Sequence, residues 1–395
     1  MSNKFVPSFD LLLKNGRVID PANDIDDDLD VGISGTIIGA VEKNIDPSRS
    51  KKTIDASGLI VSPGLIDLHA HFWGYEWSVM PDELCLSTGV TTAVDAGGAG
   101  HLTFDDFNNK IISKSKVRIF AFLNISGLGM TGEPEQDLEG MSIESSLAKV
   151  RQRPDLIIGL KVAHYLGPDW EPLDRAVEVA RNSKTFVMVD QNPISSRPMD
   201  KMMLEHMESG DVVTHCYGSG KNMIDFSDKV HQYFFEARNR GIKFDVGHGA
   251  GSFSWRVAQS AIDQGFLPDT ISTDLHSSSY LKNQATMPET MSKLLVCGIS
   301  IQDVFKMSTI EPAKQIGHPE LGSLTVSGVA DVAVFKLSQG DFGFTDNGLS
   351  GSRVRKGAFR LDPEITIKSG EVFWDRNGRT KSDWLQTAPI DTPNI

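Results

Sequence analysis

Cysteine is scarce in this chain: Cys85, Cys216 and Cys297 are the three present among 395 residues, and they lie far apart. That spacing excludes a disulfide framework and a cysteine-ligated structural zinc site, and it suits a reducing compartment. Cationic residues are outnumbered, 39 Lys and Arg against 52 Asp and Glu, leaving a formal net charge of −13. Nucleic acid demands a basic face, so it is excluded as a partner. No apolar run approaches the roughly 20 residues that span a bilayer. The opening stretch MSNKFVPSFDLLLKNG lacks the hydrophobic region of a secretory leader. The expectation is a cytoplasmic protein with no membrane partner.

What is present is an ordinary globular composition, 39% hydrophobic. The length accommodates a (β/α)₈ barrel, typically about 250 residues, with material to spare. Both ends read as strands and turns. FDLLLKNGRVID contains a hairpin-grade Asn15-Gly16, Gly35 marks a second turn, and EITIKSGEVFW turns at Ser369-Gly370. These ends predict a small β-sandwich domain composed of 1–62 and 325–395, around a barrel spanning 63–324. The acidic run Asp24, Asp26, Asp27, Asp28 and Asp30 lacks the glycine and closing glutamate of a calcium loop and reads as a solvated turn.

Between the ends, strand and helix patterns alternate. Strand-like runs fall at 65–72, 91–97, 118–126, 156–163, 185–190, 212–217, 243–249 and 270–274. Amphipathic stretches at 171–182 and 230–241, the latter closed by Gly241, predict helices. About eight short apolar strands alternating with helices point to an α/β fold, a TIM-like (β/α)₈ barrel. A doubly wound open sheet is the alternative, but no G-x-G-x-x-G loop follows the first strand.

Chemistry in such a barrel sits at the C-terminal ends of the strands. Nearly every run ends in a group able to bind metal or move protons: His69 and His71, Lys161, Asp190, His215, His248 and Asp274. Period-two alternation points His69 and His71 to one face, the interior, where an unpaired polar group is costly. Imidazoles joined by a carboxylate suit Zn²⁺ and similar divalent ions. Lys161, inside the apolar run LIIGLKVA, is disfavoured in its charged form by burial. It either reacts as a neutral amine with CO₂ to give a bridging carbamate, or it snorkels or pairs with Asp190. Trp73 and Trp77 in WGYEWSVMPD form a pocket wall or pack at the barrel mouth, and Cys216 points away from the site as a small buried hydrophobe.

The stretch from Val61 to His71, with GLIDLHAH at its heart, resembles the opening motif of the amidohydrolase superfamily. The resemblance runs the length of the chain, through Gly89-Val90-Thr91-Thr92 to Gly322-Ser323-Leu324, Gly328 and Ala330-Asp331. DVVTHCYGSGKNMI, FDVGHGAGSFSW and ISTDLH make it most similar to the dihydroorotase-like amidohydrolase and deacetylase group. It implies that His69, His71 and Asp274 bind one Zn²⁺, that carboxylated Lys161 bridges to a second ion held by His215, and that Asp274 is the general base and acid. It also implies that His248 lies near substrate, with His276 a further candidate there, and that the protein is a homo-oligomer.

One departure matters. Where the family's fifth strand ends in a histidine ligand, this chain has Asp190. A binuclear site with an Asp ligand, a mononuclear site on the His69 and His71 side, and a weakened enzyme all remain open. Val162-Ala163-His164 after Lys161 offers no arginine for a substrate carboxylate, so a dihydroorotase assignment is withheld. The leading expectation is a metal-dependent hydrolase of an amide or ester in a small molecule, of the deacetylase type. Hydrolysis of a cyclic amide, lactone or amidine, deamination included, is the alternative, and a non-catalytic metal-binding scaffold is the reading from another class.

Overall fold

The computed structural model describes residues 8–346 and 353–386. Five strands come from the N-terminal part: β1 (Leu11–Asp20), β2 (Ile25–Ser34), β3 (Ile37–Glu42), β4 (Thr53–Asp55) and β5 (Ile60–Pro63). The next seven are β6 (Leu65–Ala70), β7 (Val90–Gly100), β8 (Arg118–Asn124), β9 (Ile157–Ala163), β10 (Phe186–Asp190), β11 (Val212–Val213) and β12 (Lys243–Phe244). The C-terminal part supplies β13 (Val332–Asp346), β14 (Arg353–Lys368) and β15 (Glu371–Asp375).

Both ends of the chain build one sheet, in the order β15-β14-β13-β5-β1-β2-β3 with β4 beside β1. The expected β-domain is one continuous hydrogen-bonded sheet whose two ends share a core. Its reason is β5, which pairs with β1 on one side and β13 on the other and joins the two terminal parts edge to edge. Alternate residues such as Val31 and Ile33, Val332 and Val334, and Ile365 and Ile367 bury one face as a shared core. On β1 the pattern changes parity, from Leu11 and Leu13 to Val18, because the register slips between Leu13 and Gly16. Asn15-Gly16 is therefore a β-bulge rather than the hairpin turn expected, with Asn15 at φ 61°. A Cβ on Gly16 would lie 2.6 Å from Val61 Cγ2, which explains the glycine.

The acidic run is also corrected: Asp26, Asp27, Asp28 and Asp30 lie within β2. Antiparallel pairing with β1 brings Asp26 to Arg17 at 2.6 Å and Asp30 to Lys14 at 2.8 Å. The expected turns at Gly35 and Ser369-Gly370 are present, with positive φ at all three residues.

The second sheet is parallel, seven strands in sequential order from β6 to β12. Its strands are buried on both faces, so they read as continuous apolar runs. Segment 270–275 reaches both edges of this curled sheet through isolated bridges, Asp245 to Thr270 and Ala70 to Leu275. It is not a regular strand as expected, and the runs at 212–217 and 243–249 shorten to Val212–Val213 and Lys243–Phe244. The cause is backbone conformation. His215, Gly247 and Asp274 take φ of 60°, 46° and 50°, outside the extended region. The expected helices form at Glu171–Ser183 and Gln232–Asn239, with Gly241 past the second at φ 94°. Among the described residues no helix is long and apolar enough to cross a membrane.

Candidate active site

A cavity of about 780 Å³ opens at the C-terminal ends of the parallel strands and is lined by His71, Asp190, His215, Asp274 and His276, among others. His69 and Lys161, both 0% exposed, lie beneath it. Two imidazoles converge on one carboxylate oxygen. Asp274 Oδ1 is 3.4 Å from His69 Nε2 and 3.0 Å from His71 Nε2. The ligand atoms of these three buried residues lie within 4.8 Å of one another.

The neighbours fix which nitrogen His69 and His215 offer. Thr214 Oγ1 donates to Asp245 Oδ2 at 2.8 Å, so at 2.9 Å it must accept from His69 Nδ1. His69 therefore keeps its Nε2 lone pair, toward which Lys161 Nζ lies 3.2 Å away. His215 Nδ1 donates to the Gly247 carbonyl at 2.5 Å and likewise frees Nε2. Burial and the neighbouring cation Lys161 push the His69 imidazole well below its usual range, so it stays neutral. Asp245 accepts from Thr214, Thr270 and Ser272, tying two chain segments to one buried carboxylate.

Asp274 is set by the turn it occupies. Asp67 on β6 accepts from Thr273 N at 3.0 Å and Thr273 Oγ1 at 2.5 Å, anchoring the residue before it. Burial pushes the Asp67 carboxyl up to about 7. Burial also works to raise Asp274, but the hydrogen bond from His71 and the charges of His215 and His71 outweigh it and hold the carboxyl below its ordinary value.

Lys161 is fully buried, and desolvation pushes its amine below the usual lysine range. Asp190 meets His215 Nε2 at 3.1 Å through Oδ2 and Lys221 Nζ at 3.4 Å through Oδ1. Burial raises its carboxyl, but His215 and Lys221 together hold it well below the carboxylate range.

His276 lines the cavity, capping the following helix with Nδ1 and placing Nε2 3.8 Å from Asp274 Oδ2. Trp77 stacks on it with ring centroids 5.7 Å apart, whereas Trp73 packs on Phe107 at 5.9 Å. One tryptophan is thus wall and the other packing. His248 is not brought to the cavity lining. Its Nδ1 faces the Gly249 carbonyl at 3.0 Å and its Nε2 meets Lys293 Nζ at 2.8 Å, because the helix Met287–Val296 packs against it. The three cysteines are free and buried. Sequence reasoning missed Thr214, Asp245, Glu135 and Lys221. The one signal available was polar residues beside the strand-end ligands.

A deacetylase of Brucella anthropi is 34% identical to this chain over 364 residues, covering 89% of each. The chain belongs to the amidohydrolase family. The amidohydrolase family model itself matches residues 253–373. A deacetylase of Agrobacterium fabrum is 34% identical over 359 residues, 88% of this chain and 86% of its own. Among solved structures, one titled as an adenine deaminase has a TM-score of 0.84 at 29% identity, over 93% of this chain and 100% of its own. One titled as a dihydroorotase has a TM-score of 0.82 at 31% identity, over 92% and 99%. As an amidohydrolase, the chain is a hydrolase that acts on C–N bonds, which sets aside the scaffold reading.

Proposed function

We propose that this amidohydrolase is a metal-dependent deacetylase that removes an acyl group from a small molecule. The single observation that carries it is the convergence of His69 Nε2 and His71 Nε2 on Asp274 Oδ1, at 3.4 and 3.0 Å. The donor set suits a divalent ion such as Zn²⁺: imidazole nitrogens, a carboxylate oxygen, and a Thr214 acceptor that keeps the His69 proton on Nδ1. His69, His71 and Asp274 would hold one ion, and carboxylated Lys161, His215 and Asp190 a second. Such an ion polarises the scissile carbonyl and makes a bound water more acidic.

The chain's own residues do the rest. Asp274, ionised at neutral pH, accepts the proton of the attacking water and returns it to the departing group. His276 and Trp77 wall one side of the cavity and orient the substrate near Asp274. A second reading, hydrolysis of a cyclic amide, lactone or amidine, is supported by the likeness to the structures titled as adenine deaminase and dihydroorotase.

Segment 270–275 stands as the eighth position of a (β/α)₈ barrel, supported by its bridges to both sheet edges. The barrel would then occupy 63–324, with 1–62 and 325–395 as the β-domain. Free cysteines support a cytoplasmic setting.

The test is metal analysis of the purified chain with assays on N-acyl and O-acyl small molecules and on cyclic amides and amidines. Bound divalent metal and acyl release that disappears in Asp274→Asn are expected. A chain that takes up no metal, or an Asp274→Asn variant with full turnover, overturns the reading.

A further inference from the structure

His164 follows β9 directly and has φ 56°, a left-handed conformation uncommon for a residue other than glycine. Such backbone persists where the surroundings enforce it. Here the short turn Glu133–Gln136 does so from two sides. Gln136 Nε2 donates to the His164 carbonyl at 2.9 Å, and Glu135 Oε2 lies 3.3 Å from His164 Nδ1. Glu135 is 2% exposed. A carboxylate oxygen accepts, so Glu135 holds the Nδ1 proton of His164 and leaves Nε2 as the nitrogen open to an ion. His164 lines the cavity.

His164 Nε2 is 3.9 Å from Asp190 Oδ2, and the same oxygen is 3.1 Å from His215 Nε2. Donors bound at about 2.1 Å to a tetrahedral ion lie roughly 3.4 Å from one another, a value these two separations bracket. The three ligand atoms do not all lie within 4.8 Å of one another as those of His69, His71 and Asp274 do, so the two imidazoles must close on Asp190 Oδ2 when the ion binds. Lys221 engages the other oxygen of Asp190, Oδ1, at 3.4 Å, which leaves Oδ2 for an ion and offsets the negative charge that aspartate introduces. A carboxylate holding the far nitrogen of an imidazole is also the usual setting of a metal-binding histidine. His69, through Thr214, and His215, through Gly247, have their Nδ1 protons secured in the same manner.

We propose that His164, oriented by Glu135, supplies the imidazole of a second divalent-ion position together with Asp190 and His215. The loop after β9 thereby provides the nitrogen ligand that the end of β10 does not. This assignment builds on the metal-hydrolase reading above, and the experiment separates the two.

Wild type, His164→Asn and Glu135→Gln are loaded with Co²⁺ or Zn²⁺ and dialysed, metal is counted by mass spectrometry, and the Co²⁺ visible absorption is recorded. Asparagine tolerates left-handed backbone, so His164→Asn keeps the fold, which circular dichroism and thermal melting check. Two equivalents are expected in wild type and one in His164→Asn, with the Co²⁺ spectrum of the His69 and His71 position unchanged. Glu135→Gln is expected to bind the second ion about 10- to 100-fold more weakly. Two equivalents with an unaltered spectrum in His164→Asn, or one equivalent in wild type, overturns the His164 assignment alone. A wild type that takes up neither ion overturns the metal-hydrolase reading itself.

Discussion

Thr214 Oγ1 accepts the His69 Nδ1 proton at 2.9 Å while giving its own proton to Asp245 at 2.8 Å, so one hydroxyl selects the tautomer of a residue far away in sequence. The isosteric Thr214→Val removes the acceptor and leaves the ring free to place its proton on either nitrogen. Affinity for Zn²⁺ is expected to fall about 10- to 100-fold, as for other losses of a partner behind a metal-binding histidine. Competition with a chromophoric chelator measures it, and an unchanged affinity would remove Thr214 from the site.

Metal removal should show in stability as well as in rate. An ion that binds the folded chain at 100 times its Kd contributes about 2.7 kcal/mol. Exhaustive chelation is therefore expected to lower the melting temperature, and Zn²⁺ to restore it in a concentration-dependent way. Melting curves at a series of free Zn²⁺ concentrations test this.

Asp274→Asn keeps the shape of the turn and loses the base. Turnover is expected to drop by about 10² to 10⁴, the usual share of general acid–base catalysis, with little change in KM. Steady-state kinetics on any substrate found, beside a thermal melt showing an intact fold, give the comparison. Full activity would remove Asp274 from the chemistry and overturn the proposed function.

The Asp190–Lys221 pair makes a structural prediction best read on the metal-free chain. Lys221 is 2% exposed, and beyond Asp190 its ammonium donates to the Gln191 carbonyl at 2.9 Å. Asp190→Asn strands a buried charge and is expected to cost about 3–5 kcal/mol. Adding Lys221→Met should recover much of that in a denaturant titration. A double variant no more stable than Asp190→Asn would show that the two charges do not depend on each other.

Stability should also vary with pH through Asp211. Burial pushes its carboxyl up to about 7, although Val187 N and Glu208 N each donate to it at 2.8 Å. The folded value lies above the unfolded one, near 3.9, so folding favours the protonated form. The contribution is full below about pH 4, falls as pH rises toward 7, and is constant beyond. Asp211→Asn retains an acceptor and should flatten that part of the stability profile. Denaturation midpoints from pH 4.5 to 8 provide the check, and an undiminished slope in the variant would place the titration on another group.

Much of the site was legible because it is written into strand ends. His69 on β6 and His71 just past its end are two apart and share a face. Lys161, Asp190, His215 and Asp274 each stand at or near the end of a parallel run, where the fold collects them. His248 has the same sequence credentials and a different fate: Lys293, on a helix packed from outside, takes its free nitrogen. Lengths of the last runs were overestimated for a related reason. The expected runs extend to the polar strand-end residues past Val213 and Phe244, but the backbone turns left-handed at His215 and Gly247.

By itself the sequence determined the kinds of donor, their order, and their delivery to one end of a parallel sheet, since side-chain period and strand polarity are local properties. Only the tertiary structure decided which nitrogen each histidine offers and which charges offset one another. His164 and Glu135 are 29 residues apart and Lys221 and Asp190 31 apart. Contacts at such separations exist because the loops close over a curled sheet, and no local pattern encodes them. The pair His69 and His71 names the chemistry, and the loops around Asp190 determine how it is completed.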